Sequence, residues 1–315
     1  MEPATDVSEN KHRHKKGILR FIFIYGFSFF GLFWFILFCM PIPVHKKHPM
    51  FEKKRPLVMA HRGGAALAPE NTLTAFHNAV ELGVDMIELD IHATKDGHLV
   101  VIHDDTMDRT TNGSGRVKDL TLTEIQTYDA GFHFIDPDGN KTFKGKGVNV
   151  PTLEAVFREM PRDMRYTIEL KDTNDPNLYE EIGRYLWQLM LKYDVQDRVL
   201  IGSFDEAILE MMTTITEGKA VVSAGKQEVT KFILLHKLGL HALYKSRIDS
   251  IELPTDVIGI NLINQTIIDA AKMRGIDVHY WTVNDKETME QLMNKGVDGI
   301  ITDRPDLLLD VVQGR

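Results

Sequence analysis

From residue 57 to the C-terminus, short apolar segments alternate with segments of helical periodicity, and this alternation constrains the fold more than any other feature of the sequence. Eight of the apolar segments have the length of buried β-strands. They predict an α/β chain folded as a (β/α)8 TIM barrel, with an open doubly wound sheet as the alternative. The predicted strands are 57–60, 86–93, 165–171, 199–203, 220–223, 257–260, 278–283 and 299–302.

One long stretch interrupts this alternation. The residues between His103 and Pro151 are rich in Thr, Gly, Asp and Lys, and they are too many for an ordinary loop between a strand and a helix. We therefore predict a small insertion, at about residues 105–150, between strand 2 and helix 2. A long insertion at this point of a barrel is a natural place for substrate selection.

The chain before the predicted barrel has a different composition. Residues 1–16 are polar with a basic end and predict a disordered tail, and residues 41–56 carry four prolines and predict a stiff linker to the domain at 57–315. The run 21–40 has twenty residues without a charge, which as a helix span roughly 30 Å, so we predict a retained transmembrane anchor over 17–40. A secretory signal peptide is the alternative, but the run is long for one and no small-residue cleavage site follows it.

Charge and cysteine content restrict the classes of function and location. The net charge of −8 argues against nucleic acid as a partner, because binding to a phosphate backbone needs a basic face. The single cysteine, Cys39, excludes a disulfide within the chain and a cysteine-rich metal site. We expect a single-pass membrane protein, but basic residues on both sides of the anchor leave the side faced by the domain undecided.

Chemically reactive side chains lie directly after the first predicted strand and on the second. His61 and Arg62 follow the first strand and precede two glycines. Glu88 and Asp90 are two residues apart on the second strand, so both leave the same face. Side by side at ~4 Å, two such carboxylates repel by about 4 kcal/mol at an effective dielectric of 20, and a cation or a shared proton would relieve this. Oxygen ligands favour Mg²⁺ or Ca²⁺ over zinc.

Further polar residues follow other apolar runs. His103 comes directly after the run 99–102 and supplies a second imidazole, so a paired acid and base become possible. Glu169 and Lys171 share a face at the end of the third predicted strand, where an ordinary salt bridge is the alternative to a functional role.

The order of these motifs resembles that of the glycerophosphodiester phosphodiesterase family. The resemblance extends from about residue 56 to the C-terminus, and so many ordered motifs together make it specific. The matching motifs are HRG (61–63), PENT (69–72), IELD (87–90), KDG (95–97), VIHD (101–104), RTTNGSG (109–115), PTL (151–153), ELK (169–171), WTVN (281–284) and GIITD (299–303).

This resemblance implies a TIM barrel and a role for each candidate residue. The carboxylates of Glu88, Asp90 and Glu169 would bind one divalent cation, and whether His103 also binds it stays open. His61 and His103 would be the catalytic histidines, with His61 as base and His103 as acid or the reverse.

The resemblance also implies the substrate contacts. Arg62 and Lys171 would hold the phosphate oxygens, and Trp281 would line the glycerol site, with a core aromatic as the alternative for Trp281. The implied reaction is metal-dependent hydrolysis of a glycerophosphodiester to glycerol 3-phosphate and an alcohol. A neighbouring glycerol hydroxyl would attack first and form a cyclic phosphate.

Two other functions remain open. One is a lysophospholipase D reaction on lysophospholipids, which an anchor at a membrane surface would favour. The other is a non-catalytic binding protein tethered to the membrane, which is disfavoured because no histidine or carboxylate of the motifs is missing.

Overall fold

The computed structural model describes residues 25, 28–29, 31–32, 34–35, 42, 44, 46–52, 55–245 and 248–314. They fall into two compact units, one from residues 1–43 with 231–245 and one from residues 44–230 with 246–315. The predicted tail and most of the predicted anchor lie outside the described residues. Within the described residues, no helix has both the length and the apolar character that crossing a bilayer requires.

The larger unit is built on parallel β-strands that alternate with helices. The strands of the described chain are Leu57–Ala60 (β1), Met86–Ala93 (β2), Leu99–Val101 (β3), Arg165–Leu170 (β4), Val199–Gly202 (β5), Val221–Val222 (β6), Ser250–Pro254 (β7), Asp256–Val257 (β8), Ile260–Asn261 (β9), Asp277–Trp281 (β10) and Gly299–Thr302 (β11).

Polar caps fix the ends of several helices. In the first helix, Thr72 accepts a hydrogen bond from the Ala75 backbone N–H, and Gly83 ends the helix at a φ of 83°. The helices of the described chain are Leu73–Leu82 (α1), Leu122–Ile125 (α2), Leu153–Glu159 (α3), Tyr179–Lys192 (α4), Glu206–Ile215 (α5), Lys226–Lys237 (α6), Gln265–Lys272 (α7), Lys286–Asn294 (α8) and Pro305–Gln313 (α9).

The sheet forms a parallel barrel. Its strand order is β6-β5-β4-β2-β1-β11-β10-β7, and neighbours along this path pair in parallel. A parallel bridge between Ser223 and Ser250 joins the two ends, where the Ala224 N–H also donates to the Ser250 carbonyl at 2.9 Å. The predicted (β/α)8 fold is therefore confirmed, and the open doubly wound sheet is excluded.

One of the eight predicted strands is wrong. The sequence predicted strand 257–260, but the barrel strand is β7, Ser250–Pro254. Val257 and Ile260 instead pair in a short antiparallel hairpin, β8–β9, where both side chains are exposed. The reason is physical: β7 carries the polar residues Ser250 and Glu252, and these interrupt the apolar pattern by which buried strands are predicted.

An apolar cluster lies in the barrel interior near the starts of several strands. Met50 and Phe51, in the segment predicted as linker, are buried there against the starts of the strands. The packed unit therefore begins before residue 57, because these two side chains complete its core. The rest of this cluster consists of Leu57, Met59, Met86, Leu200, Val221 and Ile301.

The predicted insertion has a small core of its own. It follows β3, which pairs antiparallel with β2, and it ends before α3. Its apolar side chains bury one another and pack on Val100 of β3 and on Ile102, so the segment is anchored without adding a barrel strand. The insertion side chains of this cluster are Met107, Val117, Ile125, Ala130, Val148 and Val150.

The smaller unit brings aromatic residues together. Phe232 is fully buried and meets Tyr244 edge to face, with ring centroids 5.0 Å apart. Gly239 has a φ of 68°, and a Cβ there would lie 3.0 Å from the Trp34 ring, so glycine suits both its backbone and its neighbour.

Candidate active site

A cavity of about 140 Å³ lies at the C-terminal end of the barrel strands. Most residues that the sequence singled out line it: His61, Arg62, Glu88, Asp90, His103, Glu169 and Trp281. Active sites of TIM barrels form at this end, where loops from different strands meet. The cavity is therefore the candidate active site.

A larger surface cleft, of about 980 Å³, lies between the loop after β2 and helix α4. Its charged residues include Glu180 and Arg184, which form an exposed i,i+4 ion pair. The histidines and the carboxylate cluster line the smaller cavity instead, so chemistry rather than size identifies the site.

Three carboxylates form one wall of the cavity. Glu88 and Asp90 leave the same face of β2, and Asp90 is paired in register with Glu169 on β4. One oxygen of each lies within 4.8 Å of the others, a spacing compatible with a single ion whose oxygen ligands lie at ~2.0–2.6 Å. Among the described residues, this group does not include His103, so its role as a metal ligand stays a prediction.

Lys171 lies against this carboxylate wall. Its Nζ is 2.9 Å from Glu169 and 3.2 Å from Asp90, and the residue is buried. The ammonium thus offsets part of the negative charge of the wall. Lys171 is not among the residues that line the cavity, so its contact with a phosphate stays a prediction.

Arg62 lies at the edge of the same wall. Its φ of 50° places it in the left-handed region, and its backbone N–H donates to Glu88 at 2.7 Å. The guanidinium donates to Glu70 at 2.8 Å, and its Nε lies 3.6 Å from Asp90. Arg62 therefore brings a fixed positive charge to the cavity, as binding of an anion requires.

Each predicted catalytic histidine is held by a carboxylate. His61 Nδ1 donates to Asp303 at 2.6 Å, which Asn284 holds in turn at 2.7 Å, and His61 Nε2 lies 4.0 Å from Glu88. A carboxylate on Nδ1 fixes both the tautomer and the orientation of the ring.

His103 is likewise held by a carboxylate, which in turn contacts Arg109 of the insertion. Its Nδ1 donates to Asp104 at 2.7 Å, and Asp104 accepts from Arg109. Arg109 also donates to Glu70, which holds Arg62. A chain of ion pairs thus links His103 to Arg62.

Comparisons with known proteins agree with this site. Residues 61–307 match the model of the glycerophosphoryl diester phosphodiesterase family. The chain belongs to this family. It is therefore a phosphoric diester hydrolase.

Relatives of this phosphodiesterase cover most of the chain. A glycerophosphodiester phosphodiesterase of Caldanaerobacter subterraneus is 38% identical over 82% of this chain and 98% of its own length. The lysophospholipase D of Homo sapiens is 27% identical over 88% and 91%. The crystal structure of a glycerophosphodiester phosphodiesterase from Agrobacterium tumefaciens matches with a TM-score of 0.64 and 28% identity over 81% and 99%.

Burial and mutual repulsion disturb the ionisation of this phosphodiesterase's carboxylate wall. Burial, together with the nearby Asp90, raises the pKa of Glu88. Burial likewise raises the pKa of Glu169, again with help from Asp90. For Asp90, burial acts in the same direction, but Lys171 and Arg62 outweigh it and lower the pKa. Lys171 and Arg62 thus keep Asp90, one of the three acids, in its charged form.

The two histidines have opposite environments. Burial acts to lower the pKa of His61, but the hydrogen bond to Asp303 and the charge of Glu88 outweigh it and raise the pKa. For His103, burial lowers the pKa, although Asp90 and Asp104 act against it.

Sequence reasoning gave no role to several residues of this site. Asp104 and Asp303 lie inside motifs that carried the family resemblance, so their position was a usable signal. Glu70 and Arg109 also lie in such motifs. Glu252 lies in none, and it lines the cavity from β7. Trp281 lines the cavity too and meets Phe204 edge to face, with centroids 5.8 Å apart.

Proposed function

We propose that the chain hydrolyses glycerophosphodiesters to glycerol 3-phosphate and an alcohol, with one divalent cation, Mg²⁺ or Ca²⁺, held by Glu88, Asp90 and Glu169. The observation that carries this is the group of three carboxylates within 4.8 Å inside the cavity. An all-oxygen donor set fits these hard cations. When bound, such an ion supplies Lewis acidity towards a phosphate oxygen and positive charge where negative charge develops.

The chain's own residues would move the protons and hold the anion. One imidazole removes a proton from the attacking glycerol hydroxyl as its oxygen bonds to phosphorus and closes a cyclic phosphate, and the other protonates the leaving alcohol oxygen. Water then opens the cyclic phosphate to glycerol 3-phosphate, with the two imidazoles in exchanged roles: the second takes a proton from the water, and the first returns a proton to the glycerol oxygen. The sequence assigned His61 as base and His103 as acid, but the raised pKa of His61 and the lowered pKa of His103 favour the exchanged roles, and the pH test described below decides between the two. Arg62 and Lys171 supply cationic donors for the phosphate oxygens.

The direct test is choline release from glycerophosphocholine by the purified chain, with glycerol 3-phosphate identified as the second product. We expect turnover that excess EDTA abolishes and that Mg²⁺ or Ca²⁺ restores. Full turnover in EDTA would refute the metal role. Formation of phosphocholine and glycerol would refute the assignment of the bond that is broken.

A lysophospholipase D reaction is the second candidate. Two observations favour it: the relative named lysophospholipase D and the uncharged run 21–40, which would hold the enzyme at a lipid surface. The ratio of kcat/KM for glycerophosphocholine to that for lysophosphatidylcholine, measured in the same detergent, decides between the two substrate classes. A ratio below one would make the lysophospholipid the preferred substrate.

We further propose that residues 17–40 anchor the chain to a membrane as a single retained span. The support is the length and lack of charge of this run. We expect the full chain to stay in membranes after carbonate washing and to keep its N-terminus by mass spectrometry. Replacing Leu32 and Leu37 by Arg, at about 2.5–3.5 kcal/mol each, should release it. A processed N-terminus would favour the signal peptide instead.

A further inference from the structure

The carboxylate of Glu252 lines the cavity from β7, a strand that lies outside the family motifs. It projects from β7, and its side chain is 18% exposed. Its Oε1 atom is buried and faces His279 Nδ1 at 3.7 Å, whereas Oε2 is the oxygen next to Gly202 of the cavity lining. A carboxylate oxygen that borders a cavity can accept a hydrogen bond from a bound molecule.

The residues around Glu252 leave room for such a donor. Gly202 has no side chain, and Ser223 and Ala224 beside it are small. A Cβ on Gly202 would lie 3.8 Å from Glu252 Oε2 and 3.5 Å from Ser223 Oγ, which is ordinary contact distance. The missing side chain therefore leaves a small polar recess next to the carboxylate.

An ion-pair chain beneath the cavity fixes Glu252 in place. Its Oε1 lies 3.7 Å from His279 Nδ1, and His279 Nε2 lies 3.9 Å from Asp277. Asp277 pairs with Lys47 at 2.7 Å, and Lys47 also reaches Asp298 at 3.2 Å. Burial acts to lower the pKa of His279, but Asp277 and Glu252 outweigh it and raise the pKa to about 9. His279 thus places a positive charge directly below Glu252.

The size and polarity of the cavity limit what can donate to Glu252. Its volume of about 140 Å³ is below the range of about 300–1,000 Å³ for drug-sized ligands, so it holds only a small part of a substrate. The phosphate belongs near Arg62 and the carboxylate wall. Gly202 is paired in register with Glu169 of that wall, one strand spacing of about 4.8 Å away. A three-carbon unit attached to the phosphate can therefore reach the recess.

We propose that Glu252 accepts a hydrogen bond from the free terminal hydroxyl of the substrate's glycerol unit, and that this contact selects deacylated glycerophosphodiesters over acylated ones. This rests on the proposed function. An acyl ester on that oxygen removes the O–H group that would donate to Glu252, and the acyl group is too large for the recess beside Gly202. Glu252 is then a residue that determines specificity in direct contact with the substrate.

The test compares two substrates that differ only in that hydroxyl. Glycerophosphocholine has it, and the phosphocholine ester of 1,2-propanediol lacks it but keeps the hydroxyl next to the phosphate. We expect the full chain, in detergent with added Mg²⁺ or Ca²⁺, to prefer glycerophosphocholine in kcat/KM by about 10- to 100-fold, the range for a hydrogen bond to a charged acceptor.

Variants then ask whether Glu252 is the source of this preference. Glu252→Leu should bring the ratio of the two kcat/KM values close to one, and Glu252→Gln should leave an intermediate ratio. Gly202→Ala fills the recess without touching an ionised group, and it should lower the ratio as well. Damage to the fold would slow both substrates equally and leave the ratio unchanged, so the ratio separates contact from structure.

Three outcomes overturn the proposal. One is a wild-type ratio of the two kcat/KM values below about three. Another is a ratio that stays at the wild-type value in both Glu252→Leu and Gly202→Ala. The third concerns the headgroup. If Glu252→Leu lowers kcat/KM for glycerophosphocholine but not for glycerophosphoinositol, Glu252 binds the cationic headgroup instead. If the wild-type chain turns over neither glycerophosphodiester with metal present, the proposed function fails, and this proposal fails with it.

Discussion

Two clusters of charged residues occupy the same barrel and differ in their arrangement. Beneath the cavity, Glu252, His279, Asp277 and Lys47 alternate in sign along a chain of ion pairs. In the wall of the cavity, three carboxylates crowd within 4.8 Å. Alternation lets each buried charge stabilise its neighbour, whereas crowding makes each carboxylate disfavour the next.

The pKa shifts show the consequence of this difference. In the chain beneath the cavity, the acidic partners keep His279 charged despite complete burial. In the wall, burial and Asp90 push Glu88 towards its neutral form, and Lys171 forms its ion pairs with Glu169 and Asp90. Buried charge that is balanced internally supports the fold, and buried charge that is left unbalanced is suited to bind a cation.

The largest effect should come from removing a carboxylate of the wall. We expect Glu88→Ala to lower choline release from glycerophosphocholine by at least ~10³-fold, because a lost cation site removes several kcal/mol of transition-state stabilisation. Glu180→Ala, on the exposed face of α4, is the matched control and should keep full activity. Substantial activity in Glu88→Ala would mean that the crowded wall is structural, like the alternating chain.

The next largest effect should come from removing one of the two histidines of the site. His61→Ala and His103→Ala should each lower kcat by at least ~10²-fold, the low end for general acid–base catalysis. His77→Ala, an exposed histidine on α1, is the control. A loss of tenfold or less in either variant, with unchanged thermal unfolding, would remove that histidine from the chemistry.

The wall could be predicted from the sequence because its signal is local. Glu88 and Asp90 are two residues apart on one strand, and each histidine directly follows an apolar run. The partners of the histidines could not be predicted in this way. Asp303 is 242 residues from His61, so only the closure of the barrel brings them together. Sequence spacing contains no information about such a pair unless a family motif covers both.

The chain beneath the cavity was missed for the same reason that β7 was missed. Strand prediction relies on apolar content, but β7 turns Glu252 towards the polar end of the barrel. The exposed Val257 and Ile260 give a stronger apolar signal nearby. A stronger apolar signal nearby therefore displaced β7 in the prediction, whereas β2 and β4, which also carry site residues, were predicted.

His279 should make stability depend on pH. Because its pKa is raised from 6.5 to about 9 in the fold, its stabilising contribution is complete below pH 6.5 and is lost as the pH rises through 9. By linkage, the free energy of unfolding should fall by about 2 kcal/mol from pH 7 to pH 9 on account of this group.

Urea unfolding of wild type and His279→Asn at both pH values isolates this contribution. The difference in free energy of unfolding between the two chains should shrink towards pH 9. The control variant His98→Ala, at an exposed position, should show the same pH dependence as the wild type. If the free energy of unfolding changes equally with pH in wild type and in His279→Asn, His279 is neutral in the fold. The charges beneath the cavity would then not alternate, because the central one would be missing.

The smallest effects should come from the carboxylates that hold the two histidines. Asp303→Asn and Asp104→Asn should each lower kcat/KM by about 10-fold, the low end for groups that orient another residue. Each change removes a charge that raises the pKa of one imidazole, so each should move one limb of the bell-shaped pH profile of kcat/KM to lower pH. If Asp303→Asn moves the acidic limb and Asp104→Asn the basic limb, His61 is the base and His103 the acid. The opposite pattern exchanges the two roles, and movement of both limbs by either variant would mean that the histidines titrate as a coupled pair through the wall between them.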